Sequence, residues 1–237
     1  MKISRIAGAT SAAVVGAWTA VLGLGVPSAV AQPPAPACPD VEIVFARGTS
    51  EAPGVGGVGQ GFVDAVRAQA APRTVGVYAV NYPAGNNFAD REVFASTVID
   101  GIRDAGNRLR TMSVDCPNTK MVLGGFSQGA VVSGFATSDT VPSSVPAAVA
   151  PAPLPPEVAD HVAAVVLFGT PSGPFLEKYG APAITIGSQY ADKTLQLCEP
   201  GDTICNGAAD AGPNVAHALY GFNGMVNQGA TYAVDRL

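Results

Sequence analysis

Residues 120–129 read KMVLGGFSQG, and this stretch constrains the chain more than any other. Residues 120–123 form a short apolar run suited to a strand, and residues 128–138 suit a helix. One residue, Ser127, separates the two. A strand that passes so abruptly into a helix needs small residues at the crossing, and Gly125 and Gly129 supply them. The result is a hydroxyl held above the carboxyl end of a strand, where open α/β sheets place their ligands. The alternative is a plain turn in a glycine-rich chain, so the reading depends on the elements and partners around it.

The rest of the chain supplies the elements. Residues 41–46 are rich in β-branched side chains and read as a strand ending at Arg47-Gly48-Thr49. Residues 54–59 form a glycine-rich loop. Phe62, Ala65, Val66 and Gln69 then recur at helical spacing. Residues 75–82 read as a second strand closed by Pro83, and 96–112 as a longer helix with Ile99, Ile102, Ala105, Leu109 and Met112 on one face. The 162–168 run, VAAVVLF, is apolar throughout and reads as a strand buried on both faces. Residues 194–197 make a shorter strand, and the tail from 224 a closing helix. Strands alternating with helices predict a three-layer α/β/α sandwich around a mainly parallel sheet. Residues 141–156, VPSSVPAAVAPAPLPP, hold six prolines and no charge. They exclude a helix or central strand and read as a surface loop, or as a flap over a site.

The first 31 residues read as a secretory signal peptide. Lys2 and Arg5 precede an apolar stretch from about Ile6 to Val26, and Ala29-Val30-Ala31 has the cleavage pattern. The opposing reading is an uncleaved anchor. A single domain, 32–237, follows, with no later segment that looks transmembrane. The whole chain carries a formal net charge of −5, more negative once Lys2 and Arg5 are removed. That balance argues against nucleic acid and anionic membrane surfaces as partners. Cys38, Cys116, Cys198 and Cys205 make an even count in an exported chain, which points to two disulfides with three possible pairings. A four-cysteine metal site would need closer paired spacings.

A serine hydroxyl needs a base to take its proton. The chain has two histidines. His161 opens the 162–168 strand. If that strand is parallel to 120–123, His161 lies at the opposite end of the sheet from Ser127. His217 follows the last strand and can reach Ser127. The imidazole needs a carboxylate to hold its tautomer. Asp139, Glu157, Asp160, Glu177, Asp192, Glu199, Asp202 and Asp210 all lie between serine and histidine in the chain. Asp202 stands apart because CEPGDTIC, 198–205, brackets it with cysteines; the alternative there is an ordinary Pro-Gly-Asp turn. A disulfide closing that loop would steady the carboxylate. It would leave Cys38 to pair with Cys116, which lie just before two strands. If those strands are parallel neighbours, the roughly 4.8 Å between them suits a disulfide.

Together these residues resemble the cutinases, especially the secreted cutinase-like proteins of mycobacteria and related actinobacteria. The likeness covers the mature chain and is carried by VFARGTSE at 44–51, NYPA at 81–84, GGFSQGA at 124–130, CEPGDTIC at 198–205 and His217. It implies an α/β-hydrolase fold, a Ser127–Asp202–His217 triad, and disulfides Cys38–Cys116 and Cys198–Cys205. It implies an oxyanion hole from the backbone N–H groups of Gln128 and Thr49, assisted by the Thr49 hydroxyl. It also implies a secreted serine esterase acting on small-molecule or lipid esters of short to medium acyl chain. No cofactor, metal or stable membrane span is required, and a monomer is expected. Acyl transfer, carbohydrate deacetylation and a non-enzymatic lipid-binding role are the rivals. Two stretches depart from the fungal members: 141–156 looks longer, and the glycine- and alanine-rich 206–216 stretch leads into His217.

Overall fold

The computed structural model describes residues 37–208 and 212–237. The signal-peptide reading of 1–31 lies outside the described residues. Five strands form one sheet: β1 Val41–Ala46, β2 Val75–Ala79, β3 Lys120–Phe126, β4 Val162–Phe168 and β5 Thr194–Leu197, in the order β2-β1-β3-β4-β5. Every pairing is parallel, with Val41 opposite Lys120 and Phe126 opposite Phe168. All carboxyl ends therefore emerge at one edge, and the crossover helices must lie on the faces.

Strand periodicity sorts the core into two. Val41, Ile43 and Phe45 face α1 (Gly56–Ala70) and α7 (Met225–Val234), joined by Phe62, Val63 and Val66. Val44 and Ala46 face the opposite layer, where α2 (Arg91–Asp115) and α3 (Gln128–Ala136) bring Leu109, Met112, Val131 and Val132. Phe45, Phe62 and Phe168 form one fully buried aromatic group with ring centroids 5.5–6.4 Å apart. Each such ring stabilises the fold by roughly 1.5–3 kcal/mol through burial.

Several boundaries move for local reasons. β2 ends at Ala79, three residues short of the sequence expectation, because the Arg47 guanidinium takes the carbonyls of Val80 (3.5 Å) and Tyr82 (2.6 Å). α1 starts at Gly56, well before Phe62, because a carboxylate oxygen of Glu51 accepts from the Gly57 N–H at 2.8 Å. That satisfies an orphan donor of the first turn. α2 starts at Arg91, where Asp90 caps the Val93 N–H at 3.1 Å. Three short helices were not anticipated: α4 (Pro156–Ala159), α5 (Gly173–Lys178) and α6 (Ser188–Ala191). Among the described residues no helix is long and apolar enough to cross a membrane.

Candidate active site

The crossing at Ser127 is strained. Its φ is +54° and ψ −118°, a region that side chains avoid at a cost of about 1–3 kcal/mol. Hydrogen bonds on both sides hold it there. Its N–H donates to Phe168 O at 2.9 Å, and its carbonyl accepts from Ala130 at 2.9 Å and Val131 at 3.1 Å. The two flanking glycines are required by contact. A Cβ on Gly129 would stand 2.0 Å from the Ala46 carbonyl oxygen, and one on Gly125 2.2 Å from that of Gly129. The G-x-S-x-G spacing is thus what lets α3 start against β1 while Ser127 projects from the sheet edge.

Two partners reach that edge from the chain after β5. A short 3-10 turn, Val215–Ala218, carries His217, and the Asn214 side chain accepts from the His217 N–H at 3.2 Å. His217 Nε2 lies 2.8 Å from Ser127 Oγ, and Nδ1 lies 2.7 Å from Asp202 Oδ2. Phe126 stacks on the imidazole at 5.1 Å between centroids. The Asp202 side chain is fully buried. Its Oδ1 accepts from the Ile204 N–H at 2.9 Å, and its Oδ2 from the Tyr220 hydroxyl at 2.7 Å. Cys198 and Cys205 are bonded around it, with Cα atoms 5.8 Å apart. His161 stands at the start of β4, where its carbonyl accepts from the Met121 N–H, at the far end of the sheet. Of the other acids considered, Asp139 accepts from the Ser188 N–H and Glu199 from Asn223, and Asp210 lies outside the described residues.

Tyr220 was missed at the level of sequence. The signal was its place in HALY, three residues after His217 and just past the turn that carries it. Its hydroxyl accepts from the Glu199 N–H at 3.0 Å while donating to Asp202, and its side chain is wholly buried. Burial, first, and then the bond to Asp202 push its phenol pKa far up, so the donor proton stays in place at any working pH. Tyr220→Phe removes a hydrogen bond to a charged group and should cost about 1.5–3 kcal/mol of stability. We expect kcat to fall about tenfold, near 1.4 kcal/mol, with KM little changed, as read by steady-state kinetics and thermal unfolding.

Thr49 sits half-buried on the loop after β1 and lines the same cavity as Ser127. That loop is tied at several points. Arg47, 4% exposed, donates to Glu51 O at 2.9 Å as well as to the carbonyls after β2. The Tyr82 hydroxyl in turn donates to Arg47 O. One oxygen of Glu51 accepts from the Gly48 N–H at 2.5 Å, and the Ser50 N–H donates to Ala84 O at 2.8 Å. Gln128 opens α3, so its N–H has no preceding helical turn to bond into. Its side-chain amide donates to Gly85 O at 3.1 Å.

Ser127, His217, Thr49 and Gln128 border one cavity of about 1130 Å³. Among the described residues no cluster of His, Cys, Asp or Glu is placed to hold a metal ion, and no cysteine is free. The second disulfide joins Cys38 to Cys116, with Cα atoms 5.6 Å apart, below the paired starts of β1 and β3. A hydroxyl bonded to an imidazole, itself bonded to a buried carboxylate, is a unit for nucleophilic attack on an acyl carbon.

Comparison with known proteins agrees with that chemistry. The family model described as cutinase matches residues 37–237. The chain is 57% identical over 169 residues to the probable carboxylesterase Culp7 of Mycobacterium tuberculosis, covering 71% of this chain and 88% of that protein. It is 48% identical over 176 residues to the probable carboxylesterase Culp5 of the same organism, covering 74% and 95%. The solved structure of Trichoderma reesei cutinase in complex with a C11Y4 phosphonate inhibitor is 32% identical, with a TM-score of 0.62, covering 84% of this chain and 76% of that one. The chain belongs to the cutinase family and is a serine hydrolase.

Proposed function

We propose that this chain hydrolyses carboxylic esters with Ser127 as nucleophile, His217 as general base and acid, and Asp202 as the carboxylate that orients and steadies the imidazole. The observation that carries the reading is the continuous hydrogen-bonded line from Ser127 Oγ through both ring nitrogens of His217 to a fully buried Asp202. Oγ attacks the ester carbonyl as Nε2 takes its proton, giving a tetrahedral oxyanion. Backbone N–H groups of Gln128 and Thr49, with the Thr49 hydroxyl, hold that oxyanion. His217 returns the proton to the leaving alcohol. Water then attacks the acyl-enzyme, His217 takes its proton, and the carboxylic acid leaves as Ser127 Oγ is reprotonated.

Residues 1–31 are proposed to be removed on export, leaving 32–237 as one secreted, monomeric domain. Two disulfides support an oxidising compartment. The acidic balance supports an uncharged or lipid ester substrate and no nucleic-acid partner. The test is labelling with a p-nitrophenyl alkylphosphonate, followed by peptide mass spectrometry. One phosphonyl group per chain on Ser127, with activity lost in step, is the expected result. Full activity after complete labelling, or labelling at another residue, would sink the assignment.

A further inference from the structure

The loop after β1 makes a tight turn over residues 48–51. The Glu51 N–H closes it by donating to the Gly48 carbonyl at 3.3 Å. Ser50 has φ +62° while Thr49 stays at negative φ, the φ pattern of a type II turn. A trans peptide points its N–H away from its own C=O. With the Gly48 carbonyl drawn into the turn, the Thr49 N–H must point out of it. That N–H bonds to no acceptor among the described residues, and Thr49 borders the cavity at Ser127. The direction of this one donor is therefore set by whatever holds the Gly48–Thr49 peptide.

Glu51 holds it with every polar group it has. Beside the N–H that closes the turn, its carbonyl accepts from Arg47 Nε at 2.9 Å. Its Oε2 accepts from the Gly48 N–H at 2.5 Å, and its Oε1 from the Gly57 N–H at 2.8 Å. Gly57 lies in the first turn of α1, whose Phe62, Val63 and Val66 are buried against the sheet. Val55, the residue before α1, gives no side-chain cap, so the Glu51 carboxylate takes that role and ties the turn to a rigid helix. The chain leaves room for this carboxylate. Gly56 has φ +73°, and a Cβ there would stand 2.2 Å from Glu51 Oε2. Gly48 is closed in from both sides: a Cβ on it would stand 3.1 Å from Glu51 Oε2 and 2.8 Å from the Phe126 ring. Phe126 precedes Ser127 and stacks on His217. Glu51 itself does not border the cavity at Ser127.

We propose that Glu51 is a positioning residue for the oxyanion: by fastening the 48–51 turn to α1, it aims the Thr49 N–H at the oxygen that turns negative when Ser127 attacks. The inference rests on the esterase reading and on Thr49 as an oxyanion donor. A donor fixed in advance stabilises developing charge without having to reorganise during the reaction. Losing such a donor costs about 10²–10³ in turnover, and displacing a catalytic group by an ångström costs about 10². The carbonyl of the bound ester carries little charge before attack, so the effect falls on kcat and leaves KM in place.

The experiment is a double-mutant cycle on p-nitrophenyl butyrate hydrolysis with Glu51→Gln, Thr49→Pro and the two combined. Glutamine keeps the size of the side chain but offers one acceptor oxygen to two N–H donors. Proline suits the second position of the turn and removes the N–H there, together with the hydroxyl. Glu51→Gln should lower kcat about tenfold with KM within about twofold, and Thr49→Pro should lower kcat about 10²–10³. In the Thr49→Pro background, Glu51→Gln should cost less than about twofold more, because the donor it aims is gone. A second measurement needs no proline. Butyl trifluoromethyl ketone adds to Ser127 Oγ as a hemiketal whose oxygen is anionic, and it should bind Glu51→Gln about tenfold more weakly than the parent. A Glu51→Gln enzyme within about twofold of the parent in kcat and in ketone affinity overturns the role of Glu51. So does the same tenfold cost persisting in Thr49→Pro; in both cases butyrate turnover by the parent keeps the esterase reading. Full activity in Thr49→Pro overturns Thr49 as a donor and the role of Glu51 with it. A parent that cleaves no ester overturns the esterase reading itself, and Glu51 then has no oxyanion to serve.

Discussion

Ser127→Ala should lower kcat for ester hydrolysis by about 10⁶-fold, with the fold unchanged. In the proposed mechanism this hydroxyl forms the acyl-enzyme, and His217 Nε2 lies 2.8 Å from it to take its proton. Asp202→Asn should cost less, about 10⁴. Three donors face the Asp202 carboxylate: the Ile204 N–H, the Tyr220 hydroxyl and His217 Nδ1. An amide at this position must turn its own N–H groups toward at least one of them. The imidazole then loses the partner that holds its proton on Nδ1, and Nε2 is no longer a free base. Single-turnover kinetics with a chromogenic ester measure both variants. An Asp202→Asn enzyme within tenfold of the parent would remove the carboxylate from the mechanism.

Cys38→Ser with Cys116→Ser should destabilise the fold by about 4.5 kcal/mol, since the bridge closes a loop of 78 residues in sequence. For a domain of this size that is roughly a 10–15 °C fall in Tm. The ties it makes are at the amino ends of β1 and β3, away from Ser127, so kcat measured at low temperature should hold. Cys198→Ser with Cys205→Ser is the contrasting case. Its loop spans a separation of 7 and stabilises by only about 2.5 kcal/mol. It encloses Asp202, however, so its loss should fall on kcat. Differential scanning calorimetry and kinetics on the two double variants separate the effects. Equal loss of kcat in both would show that neither loop is specific to the site.

Much of this was legible in the residues because the relevant signals are local. An apolar run with no polar break, as at Val162–Phe168, has to be buried on both faces, and such strands belong in the middle of a parallel sheet. The Gly125-Phe126-Ser127-Gln128-Gly129 crossing is local too, since its strain and its glycines belong to one turn. Strand direction alone separates His217 from His161. Asp202 emerged because two cysteines frame it. The start of α1 was not legible. Its glycines are poor helix formers, and the turn forms because the Glu51 carboxylate, folded back from the loop that leads into it, takes the Gly57 N–H.

The residues themselves determine the alternation of strands and helices, the sharp turn that lifts Ser127, and the short list of partners for it. These follow from side-chain chemistry at spacings of two, three and four along the chain. Only the tertiary structure decides that the Tyr220 hydroxyl is buried against Asp202, and that 141–155 is a strap along α2 rather than a free loop. Both depend on contacts between segments far apart in sequence. A hydroxyl acquires a partner, and an apolar helix face a covering, only when the packed layers bring the other half into place.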